Sequence, residues 1–212
     1  MSLIIPLFPL QLVIFPGSQY PLHIFEPRYK RLVSESLERD TGFGIVAKFE
    51  NKISDVCTYV KIFKVLKKYP NGESDIIIEG NKRYLINSVK IHPAGYLVAE
   101  VEPYEDVSDL TNRDLVIQVM ILFEELLKRI NYELPEEFWS NLTSSLNKSF
   151  KIAEKAGLTL EQQQELLILR NENERLKFLI NHFENLEEKY SKEETIKSLI
   201  MTDGYLNEKK DS

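Results

Sequence analysis

Hydrophobic positions follow two patterns along this chain: short runs and alternations in the first half, three- and four-residue spacing in the second. The first half opens on Pro6–Tyr29, PLFPLQLVIFPGSQYPLHIFEPRY. Here Leu7, Phe8, Leu10, Leu12, Val13, Ile14 and Phe15 crowd among Pro6, Pro9, Pro16, Pro21 and Pro27. Proline fixes φ and has no N–H, which argues against helix interiors and central strands. The segment therefore predicts very short strands, Leu3–Phe8 and Gln11–Phe15, broken by tight turns such as Pro16-Gly17. Its apolar density predicts burial or a binding surface. From Arg28 to Glu38 the period changes: Tyr29, Leu32, Val33 and Leu37 predict a helix with Pro27 in its first turn and Thr41-Gly42 at its end. Strands are expected at Phe43–Phe49, Cys57–Leu66, Asp75–Glu79, Arg83–Ile91 and Tyr96–Val101. Pro70-Asn71-Gly72 marks a hairpin and Gly80 a break.

In the second half, Leu115, Val116, Val119, Leu122, Phe123, Leu126, Leu127 and Ile130 form the stripe of a helix over Leu115–Ile130, with Asp109 or Thr111 as its cap. Phe138 and Trp139 read as packing anchors, and Leu146–Ala156 as a buried helix. Thr159-Leu160-Glu161-Gln162 has the capping-box spacing. Asn173–Leu186 is amphipathic. The acidic stretch Pro103–Asp109 reads as a short connector. The expected organisation is a β-rich part over 1–105, a helical bundle over 106–190 and a charged tail over 191–212. In that tail Ile196, Leu199 and Ile200 keep helical spacing, the mark of a last helix that docks or awaits a partner.

The composition is that of a globular protein: 212 residues, 43% hydrophobic and 28% charged. A net charge of −6 argues against nucleic acid as main partner. Lys61, Lys64, Lys67 and Lys68 form a local basic patch, read as a solvated strand face. A single cysteine, Cys57, forms no intrachain disulfide and no cysteine zinc site. Neither a signal-peptide pattern nor an apolar run of membrane-spanning length appears, so a cytoplasmic location without membrane attachment is expected.

Catalytic signals are weak. His23, His92 and His182 are scattered without ligand spacing, so no metal or cofactor is expected. His23 reads either as a core histidine satisfied by main chain or as a polar hook for a bound backbone. Glu26 and Arg28 are i, i+2 neighbours and are expected to pair through other residues. Cys57 reads as a small buried strand residue, and Glu136-Glu137 and Glu187-Glu188 as solvated neighbours that diverge on a helix. Phe8, Phe15, Tyr20 and Phe25 are numerous for one short segment. Most belong in a core. Those left at the surface near an edge strand, with His23, are the candidates for capturing extended polypeptide.

The run Pro6–Tyr29 resembles the opening of the N-terminal domain of the ATP-dependent Lon protease. The resemblance continues through Gly42-Phe43-Gly44-Ile45-Val46, Asp75–Arg83, Ser149–Gly157, Leu158–Leu167 and the triplet Glu174-Arg175-Leu176, covering Leu3 to Leu186. Cys57 departs from it, standing where the family often has glycine. The resemblance implies an α+β fold, a β-rich pseudo-barrel followed by a helical bundle. It also implies a non-catalytic module that binds unfolded or degron-bearing polypeptide, as an adaptor for a separate protease or ATPase. No GxxxxGK[ST] run occurs and no serine–lysine peptidase segment is seen, so the family's ATPase and peptidase chemistry is not carried over. Two alternatives stand beside this reading: an oligomerisation or scaffold protein recognising a folded partner, and a small-ligand or enzymatic role in a cleft between the two parts.

Overall fold

The computed structural model describes residues 3–107, 109–189 and 193–201. The chain divides into two compact units, Met1–Glu105 and Asp106–Ser212. The first contains β1 (Leu3–Leu10), β2 (Gln19–Ile24), α1 (Pro27–Glu38), β3 (Phe43–Ala47), β4 (Val56–Lys68), β5 (Ser74–Ile91) and β6 (Leu97–Pro103). The strands run in the order β2-β5-β4-β3-β1-β6, and β5 also pairs with β6. The ladder thus closes into a five-strand pseudo-barrel with β2 as an extra strand on its outside. All pairings are antiparallel except β1 with β3.

Proline does not keep β1 out of the sheet interior. β1 lies between β3 and β6 with Pro6 and Pro9 inside it. The reason is an offset: β6 pairs with Leu3–Leu7 and β3 with Leu7–Leu10, so the two ladders overlap at Leu7 alone. Each proline has a strand on one side only, an edge-like position where a missing N–H is tolerated. The expected strand over Gln11–Phe15 does not form. Leu12, Val13, Ile14 and Phe15 run as irregular but buried chain. Its polar backbone is satisfied from outside: the Thr58 hydroxyl donates to the Ile14 carbonyl (2.5 Å), and Gly17 N–H donates to the Gly80 carbonyl (2.8 Å). The same crossing explains why Gly80 does not break the sheet. β5 continues through it, and a Cβ there would collide with the Phe15 carbonyl.

The barrel interior holds Ile5, Leu7, Val46, Cys57, Ala99 and Val101. Cys57 fits because nearby Gly44, paired with Tyr59, has no Cβ: one there would lie 3.1 Å from the Cys57 sulfur. α1 buries Tyr29, Leu32 and Val33, as its apolar spacing requires, while Leu37 stays exposed. Phe8 stacks on Tyr29 at 3.8 Å between ring centroids.

The second unit is helical: α2 (Arg113–Arg129), α3 (Glu136–Ser144), α4 (Lys148–Ala153), α5 (Leu160–Ile168), α6 (Glu172–Lys189) and α7 (Glu193–Met201). Neither Asp109 nor Thr111 caps α2. Asn112 does, its side-chain oxygen accepting from Asp114 N–H (2.8 Å), while Asp109 accepts from Asn171 and Asn173. The helix expected over Leu146–Ala156 shrinks to α4, and Leu146 is almost fully exposed. At the start of α4 the Lys148 ammonium donates to the carbonyls of Leu142, Thr143 and Ser145, satisfying acceptors at the end of α3. Thr159 and Gln162 form the capping box: the Thr159 hydroxyl accepts from Gln162 N–H, and the Gln162 side chain accepts from Thr159 N–H.

In α7, Ile196 and Ile200 are buried, so the stripe that motivated the oligomerisation alternative is covered at both positions. The Leu199 side chain and the tail beyond Met201 lie outside the described residues. The largest fully buried side chain among the described residues is Arg175. Its guanidinium donates to both Asp106 oxygens (2.9 and 2.6 Å), to Glu172 Oε2, to Ser149 Oγ and to the Leu169 carbonyl, and it lies over the Phe150 ring.

Candidate functional site

β2 is the one place where the Pro6–Tyr29 run forms an outer edge of the sheet. Its register against β5 pairs Tyr20 with Ile78, Pro21 with Ile77, Leu22 with Ile76 and His23 with Asp75. Side chains alternate across a strand. Leu22 therefore shares a face with the buried Ile76, and Tyr20 with the buried Ile78. His23 and Pro21 share the opposite, more exposed face with Asp75 and Ile77. On β4 this outer face continues through Lys67 and Lys64, which pair with Asp75 and Ile77.

The five aromatic and histidine candidates thus separate. Phe8 and Phe15 are core residues, 6% and 3% exposed, and cannot touch a bound chain. Tyr20 is half-buried. His23 and Phe25 stand at the surface, Phe25 with 58% of its area exposed.

His23 is not a core histidine. Its ring is half exposed, with Nδ1 2.7 Å from Asp75 Oδ1. The Tyr69 hydroxyl donates to Asp75 Oδ2 at 2.7 Å. The bond from His23, and then that from Tyr69, hold the Asp75 carboxyl below its ordinary value. The other ring nitrogen faces Glu73 at 3.7 Å, and Glu73 lies 3.8 Å from the Lys30 ammonium. Lys30 also donates to the Asn71 carbonyl (3.0 Å), tying α1 to the β4–β5 turn. The Phe25 ring stacks near His23 (centroids 6.0 Å apart, 19° between planes), and Tyr69 meets the same imidazole edge-on. Two residues on, Glu26 and Arg28 pair directly, with Arg28 Nη2 2.7 Å from Glu26 Oε2, contrary to the indirect pairing expected from their spacing.

This surface offers an exposed ring, a fixed imidazole and an edge strand. It has no nucleophile beside a base. Cys57 is fully buried in the barrel and burial pushes its thiol up to about 12, so it carries no thiolate at neutral pH. Among the described residues no cluster of three or more His, Cys, Asp or Glu is arranged to hold a metal ion, and no helix is long and apolar enough to cross a membrane. Of the other histidines, His92 stacks on Tyr96 and His182 is buried with Nε2 2.8 Å from the Ala156 carbonyl.

The sequence alone did not single out Asp75, Tyr69 and Glu73 as partners of His23, because that grouping depends on the β2–β5 register. The available signal was the alternation in Ser74–Glu79, which puts Asp75 on the face away from Ile76 and Ile78.

Comparison with known proteins agrees with the fold. The Lon protease of Buchnera aphidicola subsp. Schizaphis graminum is 28% identical over 190 residues, covering 83% of this chain and 24% of that protein. The Lon protease of Escherichia coli strain K12 is 25% identical, covering 85% of this chain and 24% of that protein. The chain thus spans about a quarter of the length of these curated relatives. Among solved structures, a Lon N-terminal domain protein from Xanthomonas campestris aligns with a TM-score of 0.67 at 24% identity, covering 84% of this chain and 98% of that one. The N-terminal domain of Mycobacterium avium complex Lon protease gives 0.61 at 18%, covering 86% and 98%. Residues 4–185 match the family described as the ATP-dependent protease La (LON) substrate-binding domain, and this chain belongs to that family.

Proposed function

We propose that this protein is a non-catalytic binding module for unfolded or degron-bearing polypeptide, and that it receives client chain on the β2 surface built from Tyr20, His23 and Phe25. The observation that carries the reading is Phe25. It is a large ring, 58% exposed, held beside an imidazole that is itself fixed by Asp75. A preorganised aromatic loses little side-chain freedom on binding, which is why such residues dominate binding energies. Membership of a family of substrate-binding domains supports the same reading. In it the chain acts as an adaptor, holding a client for a separate protease or ATPase.

The test is a titration of labelled unfolded protein with wild type and with Phe25→Ala. Truncating a central aromatic anchor typically costs about 2 kcal/mol, or roughly thirtyfold in Kd. Phe25 is more than half exposed, so the variant is expected to melt close to wild type. Unchanged affinity in a folded Phe25→Ala protein removes the β2 surface from the reading.

A further inference from the structure

β4 has an unusual second edge. It pairs with β5 from Val56 to Lys68, but with β3 only at Thr58–Val60. Among the described residues, Lys61–Lys68 therefore has a strand on one side and no strand on the other. An open edge presents unpaired N–H and C=O groups and templates the addition of another strand. β2 is also an outer edge, but it is six residues long with Pro21 inside it, which removes one donor.

The composition of the β4 edge says what it accepts. Lys61-Ile62-Phe63-Lys64-Val65-Leu66-Lys67-Lys68 holds four lysines and no carboxylate. Lys61 lies 3.6 Å from an Asp40 carboxylate oxygen, and the Lys67 ammonium lies 4.4 Å over the Tyr69 ring. Lys64, Lys67 and Lys68 face no carboxylate within ion-pair distance among the described residues, and Lys64 and Lys67 share one face of the strand. Register shifts between Ile62 and Lys64 and between Val65 and Lys67 leave Phe63 and Leu66 outside the regular ladder, 57% and 52% exposed.

Lysines and bulges on an edge guard against self-pairing. A second copy laid on this edge would set lysine against lysine, and like charges across a ladder repel. The same charges attract a strand of opposite sign. A purely protective edge has no use for two exposed large apolar residues between its lysines.

We propose that Lys61–Lys68 is a β-augmentation site for a short extended polypeptide segment in which acidic residues alternate with apolar ones. Main-chain hydrogen bonds to the open edge hold the segment. Lys64 and Lys67, which share one face of β4, pair with its carboxylates, and Phe63 and Leu66 contact its apolar side chains. The proposal rests on the polypeptide-capture reading and gives the client a chemical class.

The experiment uses the full chain and three fluorescent probes: a short peptide alternating Glu with Val or Phe, its counterpart with Lys in place of Glu, and a permanently unfolded protein. The Glu peptide is expected to bind saturably, the Lys peptide not to bind, and the double variant Lys64→Glu with Lys67→Glu to weaken the Glu peptide by at least about tenfold. Both lysines are exposed, so folding is unaffected. Amide hydrogen exchange with the Glu peptide bound is expected to show new protection within Ile62–Lys68.

Equal binding of the two peptides, an unchanged double variant, or absence of protection on β4 overturns the proposal. So does a single-stranded oligonucleotide that displaces the Glu peptide at lower concentration than the peptide binds, which would assign the lysines to phosphate. If the unfolded protein binds while the Glu peptide does not, the edge proposal fails and the β2 reading survives. If neither binds, both fail.

Discussion

Replacing Arg175 with methionine is expected to destabilise the helical unit more than any surface change. Arg175 is fully buried, and its guanidinium makes a bidentate pair with Asp106 and further bonds to Glu172, Ser149 and the Leu169 carbonyl. Methionine roughly fills the aliphatic volume but leaves the carboxylates behind. Asp106 is 29% exposed along its side chain and can recover some water, while Glu172, at 9%, keeps only Ser149 N–H and Oγ. Breaking a buried pair by removing one partner costs about 3–5 kcal/mol, and the partial exposure of Asp106 places this case near 3. For a unit of this size that is a fall in Tm on the order of 10 °C. The one tryptophan, Trp139, lies in α3, so its fluorescence in urea reports this unit. The midpoint should fall with little change in slope. Arg175→Lys keeps the charge but not the planar fork and should fall between. A loss under about 1 kcal/mol for methionine, or a lysine variant equal to wild type, would refute the assignment of Arg175 as the electrostatic centre of the unit.

Three further outcomes are expected. Gly80→Ala should cost about 1–3 kcal/mol in urea unfolding of the β unit, because its Cβ meets the Phe15 main chain and the crossing must shift; a neutral result would deny that crossing. His23→Ala should raise the Asp75 carboxyl towards its ordinary value of 3.8, read by NMR titration. The sign for stability follows. The folded value is depressed, so the stabilisation from Asp75 is complete above 3.8 and is lost as pH falls through the lower folded value, and the variant should lose less on acidification. Cys57 should resist alkylation in the native protein at pH 8 and react on unfolding, since burial pushes its thiol up to about 12; rapid native modification would contradict its place in the barrel.

The sequence made α1, the Asn71-Gly72 turn and the α5 capping box legible, because each depends on local spacing and local chemistry. What it misjudged depended on long-range pairing. Proline rules kept β1 out of the sheet interior, yet the offset between its β3 and β6 ladders gives Pro6 and Pro9 edge-like sites. Gly80 read as a break because nothing local shows that Phe15–Ser18 crosses it. Leu12–Phe15 is apolar enough for a strand, but its backbone is satisfied by Thr58 and by turns. The candidate surface was legible in part. The run that carries Tyr20, His23 and Phe25 stood out, but which of its aromatics turn inward is decided by the β2 register and by the packing of Phe8 on Tyr29. The open β4 edge was invisible because it is the early end of the β3 pairing that leaves it open.

The measurement that bears most directly on polypeptide capture is fluorescence anisotropy of one labelled protein in two forms, permanently unfolded and natively folded, titrated with the full chain. Saturable binding of the unfolded form alone, weakened in Phe25→Ala, is the predicted result. Equal binding of both forms, or binding of neither, would contradict it and point to a specific folded partner.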